Sequence, residues 1–164
     1  LDKMEHYIKL FRSFRYAFEG IFNTIKAERN LRIHITCIIY MFSILGFTDW
    51  FTLTRTDWAV LLIASGTVIA GELINTAVEN AVNLASEEIS EYGKISKDAA
   101  AGAVLISAIF AVLCGIAILF QPEAFRRMFE YFSTNIPMLA VAVLSLIPAT
   151  LFIFLGIPHK KEKK

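Results

Sequence analysis

Residues 57–84 constrain the fold more than any other stretch. They read DWAVLLIASGTVIAGELINTAVENAVNL, without a proline, apolar through the first half and then carrying two glutamates and three asparagines. As a helix, 28 residues extend about 42 Å at 1.5 Å per residue. The hydrocarbon layer of a bilayer is about 30 Å thick. A helix here therefore crosses the layer and emerges from it, and its polar half is the part that emerges. Three further apolar runs lie at 31–47, 99–120 and 136–157. Composition agrees: 56% of residues are hydrophobic, against about 45–50% in soluble domains. A 164-residue chain hides only part of its surface in a core, so lipid or partner subunits must cover the rest. The expected fold is an all-α integral membrane bundle.

Residues 1–27 precede the first span as an amphipathic segment. Ile8, Phe11, Phe14, Phe18, Ile21, Phe22 and Ile25 recur at helical spacing, with Lys9, Arg12, Arg15 and Lys26 between them. This pattern predicts a helix lying on an anionic membrane surface. Between the first two spans, TDWFTLTRTD at 48–57 has the aromatic and small polar residues of a membrane boundary. The segment 85–98 reads as a polar loop broken at Gly93, and 121–135 as a polar connection with Pro122 at a first-turn position. The last run, 136–157, tolerates Pro137 and Pro148 as a membrane helix can, and a basic tail follows, HKKEKK.

Lysine and arginine crowd the segment before residue 33 and the tail, whereas 48–57 holds only Arg55. The positive-inside rule then puts both termini and the loop after the second span in the cytoplasm. The arginine pair Arg126–Arg127 in the third connection works against this assignment. Net charge is +1, which gives no case for nucleic acid. Cys37 and Cys114 both sit inside apolar runs and read as reduced packing residues.

Seven residues on a helix advance about 700°, so Glu72 and Glu79 share a face about 10.5 Å apart. Asn75 lies between them, and Asn83 continues the stripe. Glu72 falls in the inner half of the layer and Glu79 near its surface. An ionisable group inside a membrane points by default to function. The plainer alternative makes Glu72 an interhelical pairing partner and Glu79 a solvated side chain. Glu28 precedes the first span at a depth like that of Glu79. Two carboxylates meeting there suit a hard divalent cation shared with substrate phosphates. Lys94, Lys97 and Asp98 lie before the third span, where a lysine can neutralise phosphate. His34 reads as a packed or interface histidine rather than a metal ligand. The chain has neither GxxxxGK[ST] nor GxGxxG, so a bound nucleotide is held without either phosphate cradle.

Three motifs together resemble one family. They are GELINTAVENAVNL at 71–84, with an E-x-x-N-[ST]-A-x-E core; KISKDAAAGAVLISA at 94–108; and FRYAFEGIFNTIKAERNLRIH at 14–34. The chain resembles the prokaryotic diacylglycerol kinase and undecaprenol kinase family of small integral-membrane lipid kinases. Its ERN-x-RIH segment is similar to the Gram-positive branch.

The resemblance implies a kinase region over 1–120, with a surface helix at 1–27 and spans near 31–47, 57–84 and 99–120; the apolar run at 136–157 is then a fourth helix in an extension over 121–164. The resemblance implies ATP and Mg2+, a lipid alcohol as acceptor, a homotrimer with composite sites, and the bacterial cell membrane with the active site cytoplasmic. It implies Glu72 as general base, Asn75 as a polar contact, Glu28 and Glu79 as magnesium ligands, and Lys97 and Asp98 as nucleotide contacts. Arg12 and Tyr16 on the surface helix become further nucleotide contacts. Undecaprenol is the expected acceptor and diacylglycerol the alternative. A non-enzymatic membrane assembly or transport protein is the remaining alternative, although it gives no reason for Glu28 or the Lys97–Asp98 pair. Two features depart from the family: Asn83 stands where relatives often have Asp, and typical members end after the third span.

Overall fold

The computed structural model describes residues 2–85 and 90–155. The basic tail and the glutamates at 87 and 88 lie outside these. Six helices follow in order: α1 (Asp2–Ala27), α2 (Arg29–Phe47), α3 (Arg55–Ala85), α4 (Glu91–Leu119), α5 (Pro122–Thr134) and α6 (Ile136–Leu155). Among them, α2, α3, α4 and α6 are long and apolar enough to cross a membrane. The all-α membrane bundle expected from the sequence is the fold observed.

The bundle is held by few buried residues. Leu31, Leu45, Leu61, Val68, Val104 and Ala124 form the apolar core, while Leu105, Phe110, Leu144 and Leu151 are among the many large side chains left exposed. In water this would be untenable; in lipid it is the normal outer surface of a helix.

The most extensive packing joins α3 to α4. Close approach depends on glycine. A Cβ on Gly71 would stand 3.6 Å from Val104 Cγ2, an ordinary contact, but one on Gly93 would stand 3.0 Å from Val82 Cγ1 and 3.1 Å from Ser90 Oγ. Gly93 is therefore not a helix breaker. It lies in the first turn of α4, where Ser90 Oγ caps the helix by accepting from its backbone N–H at 3.0 Å. From Glu91 to Asp98 the polar segment before the third span is two turns of helix, and Lys94, Lys97 and Asp98 ride on it. Local polarity suggests a loop, but these turns project beyond the apolar layer, where polar residues are free to be helical.

The connection at 121–135 is also helical. Pro122 opens α5, as expected, and α5 closes on the α2–α3 loop. Gln121 Oε1 accepts from Thr52 N–H at 3.1 Å and Gln121 Nε2 donates to Thr52 O at 3.0 Å. Trp50 packs on Tyr131 and Phe132, and Phe51 packs edge-on to Phe125. Arg126 is paired with Glu123 at 2.8 Å and Glu130 at 3.0 Å.

From there α6 runs antiparallel to α2. Tyr40 Oη lies 2.8 Å from Ser145 Oγ, and eight residues further along each helix, in opposite directions, Arg32 Nε donates to Ile153 O at 3.2 Å. The extension thus adds a fourth helix on the α2 side of the bundle, away from the α3–α4 pair.

Candidate active site

The helix α3 presents Leu61, Val68, Glu72 and Thr76 inward, a stripe at helical spacing. Glu72 is only 3% exposed. It faces the protein and not the hydrocarbon, and its Oε1 lies 3.3 Å from His34 Nε2 on α2. Thr76 Oγ1 donates back to Glu72 O at 3.0 Å, which satisfies its hydroxyl within the helix. His34 is thus the direct partner of the buried carboxylate, an interface histidine with a polar role. The signal for that role in the sequence is its place six residues after Glu28, on the helix that packs on α3; a search for a second metal ligand beside it misses the pairing.

One turn beyond Glu72, Asn75 Nδ2 donates to Glu79 Oε1 at 3.0 Å and fixes the direction of that carboxylate. The other end of the amide, Asn75 Oδ1, is buried without a hydrogen-bond partner. A buried carbonyl oxygen left unpaired is costly unless something polar reaches it. Glu28 sits in the bend between α1 and α2, in extended conformation at φ −99°, ψ 116°. Glu79 lies two turns past Glu72 on the same face of α3, and the bend puts Glu28 just before the end of α2 from which His34 reaches Glu72.

Among the described residues no three His, Cys, Asp or Glu side chains cluster as a complete cation cage. The polar atoms offered beside Glu72 are oxygens, the Glu79 carboxylate and the unpaired amide carbonyl of Asn75. That set fits a magnesium ion, which keeps several waters and takes one or two carboxylates together with substrate phosphates.

The Lys97 amine, on α4, donates to Asn83 Oδ1 on α3 at 3.0 Å. Asparagine here orients the lysine as a carboxylate would without adding a negative charge of its own. Asp98 follows on an exposed position of the same helix and makes no ion pair among the described residues. Arg12 and Tyr16 are exposed on α1, more than two turns before the bend; the Tyr16 ring is covered by Arg15 at 5.2 Å. The structure pairs Glu72 with His34 and Asn75 with Glu79 and ties Lys97 to Asn83; among the described residues no hydrogen bond or ion pair joins the side chains of Glu28, Arg12 or Tyr16 to this group.

A groove of about 380 Å³ runs beside this cluster between α2, α3 and α4. Its walls are almost wholly apolar, including Cys37, Met41, Leu61 and Val68, and His34 is its ionisable lining residue. Glu72 stands one turn past Val68, at the end where His34 lies. An apolar trough thus meets a patch of acids at a buried carboxylate.

Comparison with known proteins places the sequence beside lipid kinases. The family model described as prokaryotic diacylglycerol kinase matches residues 15–119. An undecaprenol kinase of Bacillus subtilis is 33% identical over 126 residues, covering 75% of this chain and 99% of that protein. A diacylglycerol kinase of a Synechocystis species is 39% identical over 111 residues, 67% of this chain and 62% of that protein. No solved structure matches. The family match stops where α4 ends, so α5 and α6 lie beyond it.

Proposed function

The chain belongs to the prokaryotic diacylglycerol kinase family, and from that premise we propose that this multi-pass membrane lipid kinase transfers the γ-phosphate of ATP to undecaprenol, giving undecaprenyl phosphate. The observation behind the proposal is the buried Glu72 carboxylate at the junction of the apolar groove and the acidic patch. The match to the Bacillus subtilis undecaprenol kinase over 99% of its length supports the choice of acceptor.

Phosphoryl transfer needs alignment and charge neutralisation more than covalent help. A polyprenyl chain lies in the groove and brings its terminal hydroxyl toward Glu72. A carboxylate is far too weak a base to ionise an alcohol beforehand, so it takes the hydroxyl proton as the new P–O bond forms. The bond from the γ-phosphorus to the bridging oxygen breaks, and ADP leaves. His34, donating to Glu72, aims the carboxylate. Glu28 and Glu79 would hold magnesium, with Asn75 setting the direction of Glu79. When bound, the ion neutralises charge on the terminal phosphates. Lys97 takes a phosphate oxygen, Asp98 the nucleotide side, and Arg12 and Tyr16 reach the nucleotide from α1. The reaction takes place at the inner face of the cell membrane, in a homotrimer, where the N-terminal region through α4 is the kinase unit and the segment from 121 is its extension.

The test is purified protein in detergent, given ATP labelled at the γ-phosphate with undecaprenol and diacylglycerol side by side. The reading predicts faster labelling of undecaprenol. Preferential labelling of diacylglycerol would replace the acceptor, in line with the Synechocystis relative's name.

A further inference from the structure

Arg32 is 6% exposed, a buried guanidinium at the inner end of α2. It makes no ion pair among the described residues. Its partners are backbone carbonyls from the ends of two other helices. Nη1 donates to Ile25 O and Lys26 O, each at 2.9 Å, in the last turn of α1, and Nε donates to Ile153 O at 3.2 Å near the end of α6. Helix C-termini carry unpaired carbonyls and partial negative charge, so both ends are favourable places for a cation. The planar fork of a guanidinium can serve both at once; an ammonium on a flexible stem is a single point charge.

Glu28 lies between the helix that supplies two of those carbonyls and Arg32 itself, in the single extended residue that separates α1 from α2. Arg32 N–H also reaches Glu28 O, at 3.4 Å. The bend that sets the direction of Glu28 is therefore fixed from both sides by one residue, and that residue is anchored on α6. We infer that Arg32 is a positioning residue that ties the end of α6 to the Glu28 bend, so that the segment beyond the family's boundary steadies the metal and nucleotide side of the site. The inference rests on the reading of Glu28 as a metal ligand. It gives the extension a role, since α6 then buttresses the α1–α2 bend.

The test uses the full chain in detergent and the variants R32A, R32K, Y40F and E28Q, read by backbone hydrogen exchange at 24–29 and 150–155 and by steady-state kinetics. R32A is expected to speed exchange in both segments and to raise KM for Mg-ATP about tenfold, the factor of one lost charge-assisted hydrogen bond, with kcat unchanged. R32K, which keeps the charge and guards against a folding failure in R32A, is expected to protect one segment and not both. Y40F removes the other polar α2–α6 contact, at mid-span, and is expected to leave the bend and KM as they were. Unchanged exchange at either segment in R32A, or full protection of both in R32K, would overturn the tie. Faster exchange at both with no change in KM would overturn its link to the site. E28Q separates the premise: if it leaves the magnesium requirement unchanged, the ligand role of Glu28 fails, while the exchange data still decide whether Arg32 joins the two helices.

Discussion

Glu72 is a carboxylate in a helix whose other inward residues are Leu61, Val68 and Thr76. Burying it is worthwhile only with a hydrogen-bonding partner, and His34 at 3.3 Å is that partner. Replacing His34 by alanine leaves the carboxylate unaimed, and kcat should fall about tenfold or more while KM for ATP holds, since a missing charged hydrogen bond is worth about 1.5–3 kcal/mol. Steady-state kinetics with each substrate varied in turn checks this; an equal rise in KM for ATP would place His34 on the nucleotide instead. Lys97→Ala should do the reverse, raising KM for ATP with little effect on KM for lipid. The stripe of Glu72, Asn75 and Glu79 is legible in the sequence because seven-residue spacing on a helix fixes a shared face. The His34–Glu72 pair is not, since it depends on how α2 is rotated against α3, and no periodicity within either segment sets that angle. The Asn83–Lys97 bond is hidden for the same reason: it joins two different helices.

The spans are legible as elements because lipid forces backbone hydrogen bonds to close within each segment. Helices that protrude into water are not so constrained, and there polar content no longer marks a loop. This is why α4 begins at Glu91 rather than at the start of the apolar run, and why the polar residues of α5 do not make it an irregular connection. Gly93 gives a direct check. A Cβ there meets Val82 Cγ1 at 3.0 Å and Ser90 Oγ at 3.1 Å, whereas one at Gly71 meets ordinary contacts. Gly93→Val should destabilise the α3–α4 pair by about 1–3 kcal/mol through overpacking, seen as a lower midpoint of thermal unfolding in detergent. Gly71→Ala should leave that midpoint close to the parent's. Equal effects at the two positions would mean that α4 does not approach α3 at its polar end as described.

The described residues leave much of their apolar surface uncovered, a surface for lipid and, on the proposed assembly, neighbouring copies to cover. Along α4 the small residues Ala99, Ala101, Gly102 and Ala103 permit close helix approach, and a Cβ on Gly102 would meet nothing within 4 Å in a single chain. The small residues favour association without fixing its number; on the proposed homotrimer, native mass spectrometry should find three copies released together from detergent, and a lone chain with full activity would contradict it. The extension adds α6 on the α2 side and α5 at the opposite end from the acids, so neither blocks the groove. What joins these parts is the position of Glu72, where an apolar trough ends and an acidic patch begins. The most direct test is the transfer of labelled γ-phosphate to undecaprenol by the parent protein and by Glu72→Gln at matched oligomeric state. The parent should label the lipid, and the variant should lose about 100-fold or more in kcat, the contribution of a general base, with its assembly intact. A variant that labels undecaprenol at the parent's rate would contradict the role given to this carboxylate and the arrangement built around it.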